Sequence, residues 1–300
     1  MEKDDKGFKR LPEDHPLVDM LLAETWWTKL VNLSHTDPDI NIQLRSDYIN
    51  VYSKMGNLLK IGLQGTNICC EIHYKYLVSD SAQPYVKILP ENGKLKVNAN
   101  VCPNVEDILE PKNFRIVKQN IATYAGEEKT IQSRLVEKNK ETVIDVEVAF
   151  AENGRSSERE NTRIDLVNFD KKHRKLVFVE LKQAFDARLF NGEINKQIER
   201  YTKFARKHEG QIIDAYQNAL ATKKKLGIIN EASFLANVTV EQLEPKPVLA
   251  IAAYNQYVID GLRIRIEENL DTTNLSGLYF FGNEVDLNLQ NKTKNKVLFV

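Results

Sequence analysis

Paired cysteine motifs are absent from this sequence, which holds only three cysteines, Cys69, Cys70 and Cys102. Their positions lack the regular spacing of a zinc site or of a disulfide framework. Small secreted domains often depend on disulfide frameworks, whereas proteins of reducing compartments do not. The sequence therefore predicts a cytoplasmic location.

Long apolar runs are also missing. No stretch approaches the roughly 18 consecutive apolar residues that a membrane-spanning helix requires. The first ten residues, MEKDDKGFKR, mix charges of both signs and contain no apolar signal region. We therefore expect a soluble protein without a membrane partner.

Neither sign of charge is in excess, because 42 Lys and Arg residues balance 42 Asp and Glu residues. This balance excludes the overall basic signature of many nucleic-acid-binding domains. The distribution is uneven, however, with 15 Lys and Arg against 8 Asp and Glu in residues 161–230. That excess indicates a local basic surface on this segment.

Several signature motifs do not occur. The sequence contains no GxxxxGK[ST] phosphate loop, no GxGxxG dinucleotide fingerprint, no HExxH zinc motif and no CxxC pair. The five histidines are scattered along the chain. A Ser-His-Asp hydrolase remains open, since triad residues need not be neighbours in sequence, but no pattern points to one.

What is present divides the chain into two parts. A helical pattern over Pro16–Val31, followed by alternating apolar runs between turn residues, predicts an N-terminal β-rich domain of undetermined role in residues 1–110. Residues 111–300 carry helix, three strands, helix and strand in that order, which predicts an α/β (α+β) domain with a mixed β-sheet flanked by helices. The polar, turn-rich segment Ala151–Thr162 is predicted to be a mobile loop beside the candidate site.

The segment RIDLVNFD-KKHR-KLVFVELK has the form of a β-hairpin with a short loop at Lys171–Arg174. In that register the numbers of paired residues sum to 345, so Asp165 lies directly opposite Glu180. Side chains alternate between the two faces of a strand. Glu180 and Lys182 are therefore expected on the same face as Asp165.

Two directly opposed carboxylates repel each other unless a cation lies between them. A divalent metal is the natural counter-ion, because hard cations prefer carboxylate oxygens. Lys182 can reach a nearby water or phosphate. This combination indicates hydrolysis of a phosphodiester with Mg²⁺ or Mn²⁺ as cofactor.

Gln197 and Tyr201 are four residues apart and share one face of the helix that follows the hairpin. The ordered series Asp165, Glu180-Leu181-Lys182 and Gln197-x-x-x-Tyr201 resembles the PD-(D/E)XK nuclease superfamily, which is restriction endonuclease-like, and in particular its RecB-like branch. The resemblance covers about half of the chain, from near Glu128 to the strand around Leu249. Ile164 stands where the family name has proline.

The resemblance implies a metal-dependent nuclease with DNA as its expected partner. Asp165, Glu180 and the Leu181 carbonyl would hold the metal, Lys182 would orient or deprotonate the attacking water, and Gln197 and Tyr201 would position the DNA strand or the lysine. An acid on the preceding helix would complete the metal site. Glu128 is the best match, because it shares a helix face with Ile131 and Leu135, and Glu127 is the alternative. The basic residues expected to contact phosphates are Lys171, Lys172, Arg174, Lys175 and Lys223–Lys225.

Two other functions compete with this one. A non-catalytic nucleic-acid-binding or protein-interaction module could retain the nuclease fold, since a fold does not fix a function. A glycosidase with two carboxylates has a compatible spacing but no evident use for Lys182. The sequence leaves open DNA versus RNA, cleavage at ends versus internally, the preferred sequence and the oligomeric state.

Overall fold

The computed structural model describes residues 8–77, 85–88, 105–150, 162–253, 255–282 and 288–290. The chain divides into two compact units. The first, called the meander unit here, consists of Arg10–Ser133 and Asn218–Ala236. The second, the mixed-sheet unit, consists of Met1–Lys9, Arg134–Gln217 and Asn237–Val300. Each unit contains one five-stranded sheet, so the fold is mixed α and β.

The meander unit is an antiparallel sheet with the strand order β1-β2-β3-β4-β5, accompanied by short helices. Its elements are α1 (Pro16–Leu22), α2 (Thr25–Thr36), β1 (Ile40–Leu44), β2 (Ile49–Ser53), β3 (Gly56–Gln64), β4 (Asn67–His73), α3 (Tyr74–Leu77), β5 (Tyr85–Ile88), α4 (Val105–Ile108) and α5 (Pro111–Tyr124). Lys54 and Met55 both have positive φ in the two-residue turn between β2 and β3. This backbone matches the right-handed twist of the strands that it joins.

The mixed-sheet unit has the strand order β10-β9-β8-β7-β6. Its elements, with α6 and α8 crossing the division between the units, are α6 (Glu127–Lys138), β6 (Val143–Phe150), β7 (Thr162–Asp170), β8 (Lys175–Gln183), α7 (Glu193–Lys207), α8 (Glu209–Lys225), β9 (Leu243–Ala252), α9 (Gln256–Asn269) and β10 (Gly277–Phe281). Strands β6, β7 and β8 are antiparallel, whereas β8, β9 and β10 are parallel. The prediction of a mixed sheet with helices is confirmed at this level.

Strand β8 lies at the centre of the mixed sheet and is buried from Leu176 to Lys182. Its apolar residues explain this position, because a central strand covered on both faces is normally a continuous apolar run. Glu180 and Lys182 are the exceptions, with 1% and 2% of their surface exposed. Two buried charges in a central strand need mutual compensation, or they destabilise the fold.

Element boundaries differ from the predicted ones in a few places. The helical pattern over Pro16–Val31 is two helices, separated at Ala23 and Glu24. The first helix predicted in residues 111–300 is also two helices, α5 and α6, which are separated next to Gly126. Helix α9 begins at Gln256, because the Asn255 side chain caps it by accepting a hydrogen bond from the Val258 N–H.

The compact units also divide the chain elsewhere than at the predicted boundary after residue 110. Helix α5 belongs to the meander unit, where it packs on α3 and β3. The end of α8 belongs to the same unit, since Trp27 donates a hydrogen bond to the Leu226 carbonyl and Thr222 donates one to the Leu11 carbonyl. Such contacts between distant parts of the chain have no signature in composition.

Among the described residues, no helix combines the length and the apolar character that a crossing of the lipid bilayer requires.

Candidate active site

The hairpin of β7 and β8 has the register that the sequence predicts. The main-chain ladder runs from the pair at the loop to Leu166 and Val179, whose numbers sum to 345 as expected. At the next position the Asp165 side chain replaces a main-chain acceptor, because its Oδ2 accepts a hydrogen bond of 2.7 Å from the Leu181 N–H. The Asp165 carboxylate is therefore fixed against β8, beside Glu180.

Glu180 and Lys182 form a buried ion pair on this face of the sheet. Lys182 Nζ contacts Glu180 Oε1 and donates a hydrogen bond of 2.9 Å to the Leu181 carbonyl. Gln197 from α7 donates a further hydrogen bond of 2.7 Å to Glu180 Oε1. The second carboxylate oxygen, Glu180 Oε2, is buried and has no hydrogen-bond partner among the described residues. Oε1 of Glu180 thus accepts from Lys182 and Gln197, whereas Oε2 accepts from none of the described residues.

The electrostatics of the site follow from burial and from like charge. Burial raises the pKa of Asp165 well above its usual range, and the neighbouring Glu180 carboxylate raises it further, against the influence of Lys182 and Leu181. Burial also raises the pKa of Glu180, although Lys182 opposes this. For Lys182 burial alone would lower the pKa, but the two carboxylates outweigh it and the pKa is raised. The lysine therefore stays protonated, and the acids hold protons more tightly than exposed acids do.

Gln197 and Tyr201 connect α7 to the hairpin. Tyr201 is fully buried, and its hydroxyl contacts the Arg163 carbonyl as donor while the Gln197 amide donates to the hydroxyl. Burial raises the pKa of Tyr201, so the phenol remains neutral. The structure thus brings Asp165 and both α7 residues into one group around Glu180.

Glu147 on β6 is a third acid near the site that the sequence analysis missed. It lies between the pairs Val146–Leu166 and Val148–Ile164, which puts it across from Asp165. After burial and Glu180, its carboxylate also raises the pKa of Asp165. Glu147 forms a 3.0 Å ion pair with Arg163. Its φ of 54° is unusual within a strand, and positive φ at a residue other than glycine often marks functional sites.

Arg188 is a second residue that the sequence analysis missed. It lies in a short 3-10 turn after β8 and pairs with Asp186, whose side chain accepts from both the main chain and the guanidinium of Arg188. Burial dominates the pKa values of Glu180 and Lys182, but the Arg188 guanidinium lowers both, which places it close to the pair. Its side chain is 40% exposed. Arg188 is thus a cation at the rim of the site.

The predicted basic loop lies at the other end of the hairpin. Lys171, Lys172 and Arg174 follow Asp170, five strand residues beyond Asp165, which corresponds to about 17 Å at roughly 3.3 Å per residue. Lys171 forms a 2.9 Å ion pair with Glu141 there. The loop is therefore outside the group around Glu180, and its contact with nucleic acid stays a prediction for a ligand that spans this distance.

The remaining predicted residues stay untested. Glu127 and Glu128 begin α6 and belong to the meander unit, whereas Asp165 and Glu180 belong to the mixed-sheet unit. Lys223 to Lys225 end α8 in the meander unit, where Lys223 donates a 2.7 Å hydrogen bond to Gln43. The predicted loop Ala151–Thr162 falls outside the described residues, except that Thr162 begins β7.

A divalent cation fits the side chains that are present. Glu180 Oε2 is a buried acceptor without a partner in the described structure, and an unsatisfied buried acceptor is costly. Asp165 next to it is an acid whose pKa is raised by burial and, after that, by the like charge of Glu180. Two carboxylates and a main-chain carbonyl are ligands that Mg²⁺ accepts together with water. No cluster of three or more His, Cys, Asp and Glu side chains suited to a metal occurs in the described ranges, so water or substrate would supply the other ligands.

Comparisons with models of protein families, with curated proteins and with solved structures gave no match to this chain.

Proposed function

We propose that this protein is a metal-dependent nuclease whose site is the group Asp165, Glu180 and Lys182. The observation that carries the proposal is the buried Glu180 Oε2, which has no hydrogen-bond partner among the described residues and lies beside Asp165, with a protonated lysine on the same face. A binding surface has no need of two opposed acids, one of them buried, next to a polyanion, whereas a cation site does.

Asp165, Glu180 and the Leu181 carbonyl would hold Mg²⁺ or Mn²⁺. The bound ion would offset the negative charge of a phosphodiester and lower the pKa of a water. The carbonyl accepts from Lys182 at 2.9 Å, and Lys182 also contacts Glu180. Lys182 and the metal would therefore both contact Glu180 and the Leu181 carbonyl.

Lys182 would act as a fixed positive charge rather than as a base. Its raised pKa keeps it protonated, so it is poorly suited to remove a proton from water. A protonated amine can donate to a phosphate oxygen as negative charge develops in the transition state. Gln197 and Tyr201 would be positioning residues, because they hold Glu180 from α7.

The PD-(D/E)XK type and DNA as substrate are parts of the same proposal. They are supported by the antiparallel β7–β8 hairpin that carries Asp165 and Glu180, by the parallel strand β9 beside it, and by α7 with Gln197 and Tyr201. This order of elements is the one that the motif series implies. With Ile164 in place of proline, the Leu181 N–H still donates the hydrogen bond that fixes Asp165.

A cleavage assay tests the proposal directly. We expect the purified chain to cut supercoiled plasmid, linear duplex or single-stranded DNA with Mg²⁺ or Mn²⁺, and to be inactive with EDTA. RNA is included as a fourth substrate to test whether the protein cleaves RNA instead of DNA. Asp165→Asn, purified in the same way, should lose cleavage by about 100-fold or more, the effect of removing a positioned catalytic group. Metal-dependent cutting that is equal in the variant would indicate a contaminating nuclease or another site.

Contacts with the phosphate backbone should involve Arg188 rather than the hairpin loop. We expect Arg188→Ala to raise KM for DNA and to reduce by about one the slope of log affinity against log salt concentration, because one phosphate contact is lost. Lys172→Ala is the matched control, since it removes one exposed cation about 17 Å from the site. A larger effect of Lys172→Ala than of Arg188→Ala would mean that the loop is the principal DNA contact.

A non-catalytic module with the same fold is the second candidate. It is favoured by one observation, that Lys182 already neutralises Glu180 and occupies the Leu181 carbonyl. That module would bind nucleic acid or a protein with no cleavage under any metal condition. The same assay distinguishes the two, because binding without turnover in Mg²⁺ and in Mn²⁺ supports the module.

A further inference from the structure

A pocket of about 460 Å³ lies between helices α2 and α5 of the meander unit. An ion pair lies at each of its ends. Lys29 of α2 pairs at 2.6 Å with Glu110, which precedes α5, and Lys118 of α5 pairs at 2.5 Å with Asp37, which follows α2. The partners in both pairs are 81 positions apart in sequence, so the two helices run side by side in the same direction.

The middle of this pocket is apolar. Leu33 lies halfway between the two ion pairs on α2, and Phe114 lies halfway between them on α5, so these two residues are level with each other. Leu109, Pro111 and Ala122 complete the apolar lining. Pro111 is exposed, and Leu33 and Ala122 are partly exposed, so a ligand can reach this surface. The volume lies within the range of roughly 300–1,000 Å³ that is typical of pockets for small organic ligands.

The two acids in the lining share one cation. Lys118 Nζ lies 2.5 Å from Asp37 Oδ2 and 3.1 Å from Asp39 Oδ2. Burial alone would lower the pKa of Lys118, but its hydrogen bonds to Asp37 and Asp39 outweigh burial and the pKa is raised. The lysine therefore stays protonated between the two carboxylates, and this group of three side chains carries a single negative charge.

Two further cations outweigh that charge. Arg115 and Lys54 line the pocket, are exposed, and form no ion pair with any residue that the structure describes. On α5, Arg115 follows Phe114 directly and lies one turn after Pro111. Lys54 lies on the Asp39 side, since its N–H donates a hydrogen bond of 3.2 Å to the Asp39 carbonyl. The pocket therefore offers an anion a guanidinium at the edge of its apolar middle.

We propose that this pocket binds a small aromatic carboxylate, whose ring system lies a few bonds from the charged group. The carboxylate pairs with the Arg115 guanidinium, whose planar fork fits both carboxylate oxygens. The ring packs between Leu33 on one side and Pro111 and Phe114 on the other, where an aromatic ring gains from the Phe114 ring beyond its buried area.

The reach of such a ligand matches the spacing of these groups. Arg115 is the neighbour of Phe114 and lies one helical turn from Pro111, so a short tether between ring and carboxylate spans the distance. Lys54 adds attraction for the anion from the other side of the pocket. All of these residues belong to the meander unit, so the site does not depend on the proposed nuclease activity.

Titration with 3-phenylpropanoate tests the inference, with 3-phenylpropanamide as the matched neutral ligand and propanoate as the ligand without a ring. We expect 3-phenylpropanoate to bind to the full chain with a Kd of about 1 mM or tighter, measured by calorimetry or by saturation-transfer NMR. The amide should bind at least about tenfold more weakly, because it lacks the charge that Arg115 pairs with. Propanoate should also bind at least about tenfold more weakly, because it lacks the apolar contact. Absence of 3-phenylpropanoate binding up to about 10 mM, or equal binding of the acid and the amide, would overturn the proposal.

Three variants assign the binding to this pocket. Arg115→Gln should weaken binding of the acid by about tenfold and leave binding of the amide unchanged. Leu33→Gln should weaken binding of both ligands severalfold, since it removes apolar contact without a change of charge. Lys112→Gln is the matched control, because it removes an exposed cation of α5 that does not line the pocket, and it should change binding by no more than about twofold.

The outcome for Arg115→Gln is decisive, because this exposed side chain can be replaced without loss of the fold. If Leu33→Gln does not fold, Arg115→Gln and Lys112→Gln alone decide. Unaltered binding of the acid in Arg115→Gln, or an equal loss in Lys112→Gln, would exclude the pocket as the site.

Discussion

Lys182→Met should inactivate the protein and also destabilise it. The substitution removes the protonated amine beside Glu180, and we expect cleavage to fall by about 100-fold or more at saturating DNA. It also leaves a carboxylate with 1% exposure without its cation. Breaking one partner of a buried ion pair costs about 3–5 kcal/mol, so the free energy of unfolding without metal should fall by that amount. Denaturant unfolding with EDTA measures it.

A double variant separates the two roles of Lys182. Glu180→Gln combined with Lys182→Met replaces the buried pair by neutral groups of similar size. We expect it to recover most of the lost stability, because no uncompensated charge remains, while cleavage stays absent. Recovery of cleavage together with stability would contradict both the role of Glu180 as a metal ligand and the catalytic role of Lys182.

A lysine on the same strand provides a matched control. Lys175 pairs with Glu244, and their side chains are 27% and 19% exposed. Because partly exposed pairs contribute little, Lys175→Met should cost no more than about 1 kcal/mol and should not change cleavage. A loss of cleavage in Lys175→Met equal to that in Lys182→Met would contradict the assignment of the site to the Asp165 face.

The hairpin was predictable because its signals are local. Two apolar runs of strand length on either side of four polar residues fix both the turn and the register. From that register the convergence of Asp165, Glu180 and Lys182 follows by alternation alone. The helix spacing of Gln197 and Tyr201 is equally local, although the specific contact of Gln197 with Glu180 required the packing of α7 on the sheet.

Glu147 and Arg188 were not predictable for a different reason. Glu147 lies across from Asp165 because of the register in which β6 pairs with β7. That register shifts between Val143 and Asp145, and the strand pattern of the sequence contains no sign of the shift. Arg188 lies in a 3-10 turn whose position depends on a local cap by Asp186, within a segment that has no clear periodicity. A search for Asp-x-Arg after the strand could have suggested this turn.

Charge counts alone do not give distances. The basic excess in residues 161–230 was connected with the site because it lies on the same segment. The same hairpin register that brings Asp165 to Glu180 puts Lys171–Arg174 at the far end. Similarly, the division into units depends on contacts such as that between Trp27 and Leu226, which lie 199 residues apart.

The stability of the metal-free protein should decrease as the pH rises. The pKa values of Asp165 and Glu180 in the folded protein are raised above their ordinary values of 3.8 and 4.5. The folded protein therefore binds protons more tightly than the unfolded chain does, and this stabilisation is lost as pH rises from about 4 through the folded pKa values. We expect the Tm in EDTA to fall between about pH 5 and pH 8, measured by differential scanning calorimetry.

Asp165→Asn and added metal should each reverse this trend. The amide cannot ionise, so the variant in EDTA should melt higher than wild type at about pH 8, by roughly 2–4 °C for each 1 kcal/mol of relieved repulsion.

Mg²⁺ should raise the Tm of wild type at pH 8, less so near pH 5 where protons compete, and should not raise that of Asp165→Asn. Asp186 is the control, because its pKa is shifted in the opposite direction. Burial alone would raise the pKa of Asp186, but the hydrogen bonds from Arg188 lower it. Asp186→Asn should therefore destabilise the protein at neutral pH. A wild-type Tm that is independent of pH in EDTA would contradict the raised pKa values of Asp165 and Glu180. A Mg²⁺-induced rise in Tm that persists in Asp165→Asn would place the cation elsewhere.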